Sequence, residues 1–322
     1  MTSLPVFVGV DYADSVVQVC VMDRSGKVAG NRALNNDAGA LDKYVRQFGD
    51  QVHASIEACS GASNLADELT NQYGWSVSLA HPGYVRRMKQ NPDKTDHADA
   101  WVLADLMRLG YLPRVWLAPP AVRDLRHLVR YRMSQVAERR AYKQRVRALL
   151  REHRLACPVA NPWTRRWWIW IQELPLPANA RWVMDRQLAM ISHYDREIYC
   201  AEKRLAEVAG DDPAVIYLMS QRGIGLVTAC VLRAEIGDFG RFRTGKQLAR
   251  MCGLSPCNRS SGGRQADAGL IKAANPLLRA TLIEAGQRLR RFDPRWQAFS
   301  QRLRQAGKPT NVIVVAVANR WV

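Results

Sequence analysis

Apolar and polar residues alternate along Pro5–Asp11 (PVFVGVD) and Ser15–Met22 (SVVQVCVM), and most of the apolar ones are β-branched. That period of two predicts two half-buried strands. Asp23, Ser25 and Gly26 supply a turn, and Lys27–Leu34 extends the pair to an antiparallel meander. The period then lengthens to that of a helix over Ala38–Phe48 and returns to strand over Val52–Glu57. A second helix opens near Gly61 and runs to Tyr73, followed by a short strand at Ser76–Leu79 and a loop marked by Pro82 and Gly83. Asp93 or Thr95 then caps a helix that ends near Leu109.

The order βββαβαβα is that of a ribonuclease H-like α/β domain. Pro113, Pro119 and Pro120 end it, and the pattern beyond is all-α. Ala121–Leu155 reads as one long helix with Val122, Leu125, Val129, Met133, Val136, Val146 and Leu149 on a stripe, carrying eleven Lys or Arg and three acids. Arg181–Ala209 repeats apolar residues in heptads, with Met184, Ile191, Ile198 and Leu205 at one position and Tyr194, Ala201 and Val208 at the other. A coiled-coil hairpin is expected, although an ordinary bundle has the same seam. WTRRWWIWIQ lies between the two helices and suits a packed anchor or interface more than base stacking. Asp211, Asp212 and Pro213 mark the next boundary, so the expected division is 1–112, 113–212 and 213–322. The last part is mainly helical with Gly-rich interruptions and ends in an apolar run, read as a helix cut short at the terminus.

Charge sharpens this division. The 322 residues hold 47 Lys+Arg against 29 Asp+Glu, with a pI near 10.1. Residues 1–110 hold 10 cations against 13 acids, a net of −3, which leaves 37 against 16, a net of +21, for residues 111–322. Most of the cations are Arg, whose planar fork matches phosphate oxygens, so a nucleic-acid partner is expected of the basic part. Seven cysteines, an odd number without a CxxC pair, point to neither a disulfide framework nor a zinc site. No stretch reaches the length of a membrane span, and a cytoplasmic protein is expected.

Asp11 ends the first strand, Glu57 ends the fourth, and Asp96 and Asp99 stand three apart on one helix face. Carboxylates so placed can converge at one end of a sheet. Hard oxygen ligands of this kind suit paired Mg²⁺ ions that polarise phosphate and steady the attacking and leaving oxygens. Each also has a plainer use, as a turn, a surface charge or a helix N-terminal charge. Asp105 lies off that face and is read as structural. In Ser220–Leu232, Gly223 and Gly225 precede a helix whose first amides face outward, an arrangement that grips one phosphate but also serves any tight turn. Gly253–Arg264 (GLSPCNRSSGGR) is rich in hydroxyls and glycines. A serine there that attacks phosphorus needs a nearby cation, which Arg259, Arg264 or a metal supplies; its plainer use is to turn the chain.

Three segments resemble a known family. FVGVD with Asp11, SIEACSG with Glu57, and KTDHADA with Asp96 and Asp99 resemble the DEDD signature of IS110-family insertion-sequence transposases. RGIGLVTACVL, CGLSP and SSGGR resemble that family's C-terminal transposase domain, in the same order along the chain. The resemblance implies a RuvC-like domain joined through a coiled coil to a domain with a nucleophilic serine, with Asp11, Glu57, Asp96 and Asp99 as magnesium ligands. The family's serine falls five residues after the proline of CGLSP, here Ser261, with Ser260 as the nearest rival. A bacterial, nucleoid-associated tetramer, a dimer of dimers, acting on double-stranded donor and target DNA with a bridge RNA as guide, is implied as well. Tyr12, Ala13 and Asp14 after the first carboxylate, Cys59 after the second, and Leu270, Ile271 and Lys272 late in the chain depart from the family pattern. Other readings are a RuvC-type junction nuclease that uses water, a non-catalytic nucleic-acid-binding regulator, and an actin-like sugar kinase, which the basic tail argues against.

Overall fold

In the computed structural model, which describes residues 4–88, 95–258 and 267–322, the alternating segments pair as strands. β1 (Pro5–Asp11), β2 (Val16–Met22) and β3 (Val28–Asn35) form the expected antiparallel meander. The Asp23 carboxylate accepts from the Ser25 and Lys27 amides, and Gly26 turns the chain at φ +90°. After α1 (Ala38–Val45), capped by Asp37, β4 (Gln51–Glu57) lies parallel to β1. α2 (Ala62–Tyr73) leads to β5 (Ser76–Ala80), parallel to β4. α3 (Pro82–Met88), α4 (Asp96–Arg108) and the two-residue β6 (Arg114–Val115) complete the sheet, ordered β3-β2-β1-β4-β5-β6. The segment read as a Pro-Gly loop is thus helical in part. Proline suits the first turn of a helix, where its missing N–H has no partner to lose.

Strand alternation sorts the two faces. Val8, Val10, Val19, Val21, Ala54 and Ile56 are fully buried in the core that takes Leu41 and Val45 of α1 and Leu69 of α2. Phe7, Cys20 and Met22 point the other way, against Ala100 and Ala104 of α4. The chain divides into two compact units, Met1–Ala118 and Pro119–Val322.

In the second unit, α5 (Pro120–Glu152) and α7 (Ala178–Ala209) run antiparallel. Arg132 pairs with Glu202 at 2.6 Å, the Tyr131 hydroxyl donates to Glu197 at 2.7 Å, and Tyr142 meets Tyr194 with ring centroids 5.5 Å apart. Met184, Ile191, Ile198 and Leu205 are all buried, as the heptads predict, but Val208 is 45% exposed and Ala209 is buried instead. A straight helix drifts about 20° per heptad against a 3.5-residue repeat, so the second seam slips by one position at its end. At the tip, α6 (Arg165–Gln172) buries Trp167 and Ile171 against Val146, Leu150 and Met184. The Trp-rich segment therefore packs as an anchor.

α8 (Pro213–Met219), α9 (Leu226–Ile236), α10 (Gly245–Met251), β7 (Pro256–Asn258), β8 (Asp267–Leu270), α11 (Pro276–Phe292), α12 (Pro294–Gln305) and α13 (Thr310–Trp321) follow. α9 is buried almost all round, among Leu278, Leu282 and Ala285 of α11 and Ala318 of α13. Within that core the Glu235 side chain, 2% exposed, receives Arg130 at 2.8 and 3.0 Å and Asn275 at 2.6 Å.

All seven cysteines are free, and Cys20, Cys230 and Cys252 are buried. Burial pushes the thiols of Cys20 and Cys230 up to about 11 and that of Cys252 to about 12. Since the thiolate is the reactive form, these three are expected to resist a thiol reagent at pH 8 until the chain is unfolded, while the exposed Cys157 and Cys200 react. Peptide mapping after labelling checks this; labelling of Cys252 in the folded chain contradicts it.

Candidate active site

Asp11 and Glu57 close two parallel neighbours, β1 and β4, whose register sets Val10 beside Ile56. They therefore stand side by side at the carboxyl edge of the sheet. Alternation turns both to the face that Gly9 and Ser55 share, which is the face α4 covers. α4 crosses this face: the Asn31 side chain of β3 donates to His97 O at 3.1 Å, Gly9 of β1 lies under Ala100 and Ala104, and the Ser55 hydroxyl donates to Leu103 O at 2.9 Å. Thr95 caps the helix by accepting from the Ala98 amide, while Asp93 falls outside the described residues. Asp99, one residue before Ala100, is buried at 6% exposure beside β1. Asp96, a turn earlier, is exposed on the β3 side. Asp105 is bound to Arg108 at 2.6 Å, a structural pairing.

Asp11 and Glu57 thus share one edge of the sheet on the face that α4 covers, but among the described residues no group of three or more His, Cys, Asp or Glu is spaced to hold a metal ion. The donors themselves, hard carboxylate oxygens at a partly open edge, are of the kind Mg²⁺ takes, and Mg²⁺ retains water where protein ligands are few. Asp14 adds to the negative field here. Burial raises the Cys59 thiol, and Glu57, Asp11 and Asp14 raise it further. Asp14, three residues beyond Asp11, is the acid that strand-end reasoning passed over; its spacing from Asp11 was the available signal.

In the second unit, Gly223 (φ +81°) and the extended Gly225 join α8 to α9. A Cβ at Gly223 would meet Arg288 Cβ at 3.1 Å, whereas one at Gly225 would meet nothing within 4 Å. No side chain caps α9, and Arg222 and Gly225 are exposed. The first amides of the helix are therefore open to an approaching anion. β7 and β8 pair antiparallel, Pro256 with Leu270 and Asn258 with Asp267. Arg259, Ser260, Ser261 and Arg264, which lie between these strands in sequence, fall outside the described residues. The described flank is held at Gly253 (φ +69°), packed against the Arg279 guanidinium, which donates to Ile271 O, and at Leu254 O, which accepts from Asn319 at 3.2 Å.

Comparison with known proteins gives these features a class. Residues 8–154 match a family model for DEDD transposases of the IS110 type, and residues 216–301 match one described as transposase IS116/IS110/IS902 family. The protein y4qE of Sinorhizobium fredii, which bears a transposase name, is 30% identical over 297 residues, covering 90% of this chain and 73% of its own length. A Pseudomonas aeruginosa protein named as a family 20 transposase is 29% identical over 331 residues, 97% of this chain and 93% of its own. The transposase for insertion sequence element IS1111A of Coxiella burnetii is 27% identical over 293 residues, 88% and 77% of the two chains. The protein is a transposase, an enzyme that moves DNA, and its mixed α/β sheet with a mostly helical remainder is consistent with a DEDD transposase domain. The chain belongs to the IS110 family.

Proposed function

We propose that this transposase cuts and rejoins double-stranded donor and target DNA through a covalent phosphoserine link. The observation that carries the reading is the placement of Asp11 and Glu57 on adjacent parallel strand ends beneath the helix that bears Asp99 and Asp96. The strand order, with β2 antiparallel to β1 and both β4 and β5 parallel to it, supports a RuvC-like, ribonuclease H-like assignment for residues 1–112. Residues 113–212 serve as the coiled-coil connection and 213–322 as the serine-bearing transposase domain.

Asp11, Glu57, Asp96 and Asp99 would hold Mg²⁺. Bound there, the metal would withdraw charge from the scissile phosphate and stabilise both the entering and the leaving oxygen. Ser261 supplies the entering oxygen. Its Oγ–P bond forms as one P–O bond of the strand breaks, and the proton it gives up ends on the departing strand as a hydroxyl. Attack by the hydroxyl of another strand reverses the step and restores the serine. Arg259 and Arg264 lie within a few residues of Ser261 in sequence and would offset charge on the phosphorane. Gly223, Gly225 and the first turn of α9 would hold a phosphate away from the reacting one. A bridge RNA as guide, a tetramer built as a dimer of dimers, and cytoplasmic location at the nucleoid complete the proposal. The family resemblance and the net of +21 on residues 111–322 support this part of the reading.

Recombination between donor and target plasmids tests this. Ser261→Ala and Asp11→Ala are each expected to reduce product to background, whereas Ser260→Ala retains it. Wild type should yield a protein–DNA adduct that survives boiling in detergent and is absent from Ser261→Ala. Cleavage by Ser261→Ala without joining would instead identify a water-dependent junction nuclease.

A further inference from the structure

The tip of the α5–α7 hairpin has a basic cavity that the carboxylates, the glycine turn and the serine segment leave unused. Residues 139–188 hold eleven Lys or Arg, and their acids are Glu152, Glu173 and Asp185 alone. Several of these cations are already engaged. Arg139 pairs with Asp195, Arg181 pairs with Asp185, and Lys143 lies over the Trp163 ring at 4.8 Å.

Arg165 and Arg166 differ. Both are exposed, and neither has an ion-pair partner among the described residues. Together with Pro158, Val159, Ala160, Asn161 and Thr164 they line a cavity of about 450 Å³. That volume lies within the range of small-ligand sites, about 300–1,000 Å³. Two unpaired guanidinium groups on one cavity favour an anion there, and their donor forks match phosphate oxygens. Pro158, Val159 and Ala160 in the same lining offer an apolar surface to a flat ring. Phosphate and free ring together describe a nucleotide outside a duplex, because a paired base keeps its faces stacked on its neighbours.

We propose that this cavity seats an unpaired nucleotide of a DNA or RNA strand, with its phosphate on Arg165 and Arg166 and its base against Pro158–Ala160. The inference does not depend on the cutting chemistry: a chain without a working serine or carboxylates would still bind here. The tip then distinguishes strands with unpaired bases from intact duplex, which a general basic surface does not.

The test is fluorescence anisotropy with the full chain and three labelled probes of one sequence: a 20-nucleotide DNA strand, the RNA equivalent, and a blunt duplex. In Arg165→Gln/Arg166→Gln, affinity for at least one single strand should fall about tenfold or more. The slope of log K against log salt should become shallower by about 0.7, the contribution of the one single-strand phosphate that the two arginines hold. Duplex affinity should stay within about twofold, and the RNA and DNA arms show which strand the cavity prefers. Arg165→Lys/Arg166→Lys keeps charge without the fork and should fall between. Unchanged circular dichroism establishes that the variants are folded. Equal weakening of duplex and single strand overturns the proposal, as does unchanged single-strand binding. A shift in mass by light scattering with binding intact would assign the tip to a contact between copies instead.

Discussion

Glu235→Gln is expected to lower the stability of the Pro119–Val322 unit by about 3 kcal/mol, the low end for breaking a buried ion pair from one side. At roughly 2–4 °C per kcal/mol for a unit of this size, the melting midpoint should drop by roughly 6–12 °C. The carboxylate joins three elements. It takes both donors of Arg130 from α5, lies 3.8 Å from Arg126 Nε, and accepts from Asn275, which also caps α11 by accepting from the amides of Leu277 and Leu278. Burial draws the Arg126 guanidinium below its usual range and Glu235 counters that pull; the Arg130 guanidinium is raised, chiefly by its hydrogen bonds to the same carboxylate. A glutamine keeps an acceptor for Asn275 but removes the charge, so Arg126 keeps its desolvation cost with only its hydrogen bond to Ala234 O, at 3.0 Å, to offset it. Arg126→Met/Glu235→Leu removes both charges, leaves the 56% exposed Arg130 to water and should recover part of the loss, as apolar replacement of a buried pair often does. A midpoint for Glu235→Gln within 1–2 °C of wild type would mean that water, not Glu235, carries the arginines.

Elements with a strong period were legible before any coordinates. β1, β2 and β4 announce themselves through Val8, Val10, Val19, Val21 and Ile56, because one face of the sheet is wholly apolar. α7 announces itself through Met184, Ile191 and Ile198. β6, with two residues, is too short for any period, and α3 lay hidden because Pro82 and Gly83 are turn residues by composition. α9 is legible as a helix but not in orientation, since Ala229, Cys230, Val231, Leu232 and Ala234 are buried in succession. Glu235 in that run looks in sequence like a misplaced surface charge. Its partners, Arg130 and Asn275, lie 105 and 40 residues away. For the proposed site, strand ends pointed to Asp11 and Glu57, and helix spacing to Asp96 and Asp99. What spacing did not reveal is that α4 crosses the sheet, which buries Asp99 beside β1 and leaves Asp96 exposed toward β3.

Gly9→Ala is expected to cost recombination about 10²-fold or more, the scale of loss when reacting groups are displaced by about an ångström. The added methyl would lie 1.9 Å from Ala100 O and 2.5 Å from Ala104 N, both backbone atoms of α4. No rotamer change relieves that approach, so α4 must move away from β1 and carry Asp99 with it. Asp11, on β1 itself, stays in register with β4, and the displacement falls between the strand acids and the helix acids. Ser55→Ala is the contrast: it removes one hydroxyl bond to Leu103 O, worth about 1 kcal/mol, and leaves the backbone approach as it is. Its recombination should remain within a few-fold of wild type. Measuring both variants alongside thermal midpoints separates the two effects, because a loss that came from unfolding alone would scale with the midpoint. Wild-type recombination by Gly9→Ala, with the chain folded, would mean that α4 need not hold Asp99 and Asp96 against the strand ends for the reaction to proceed.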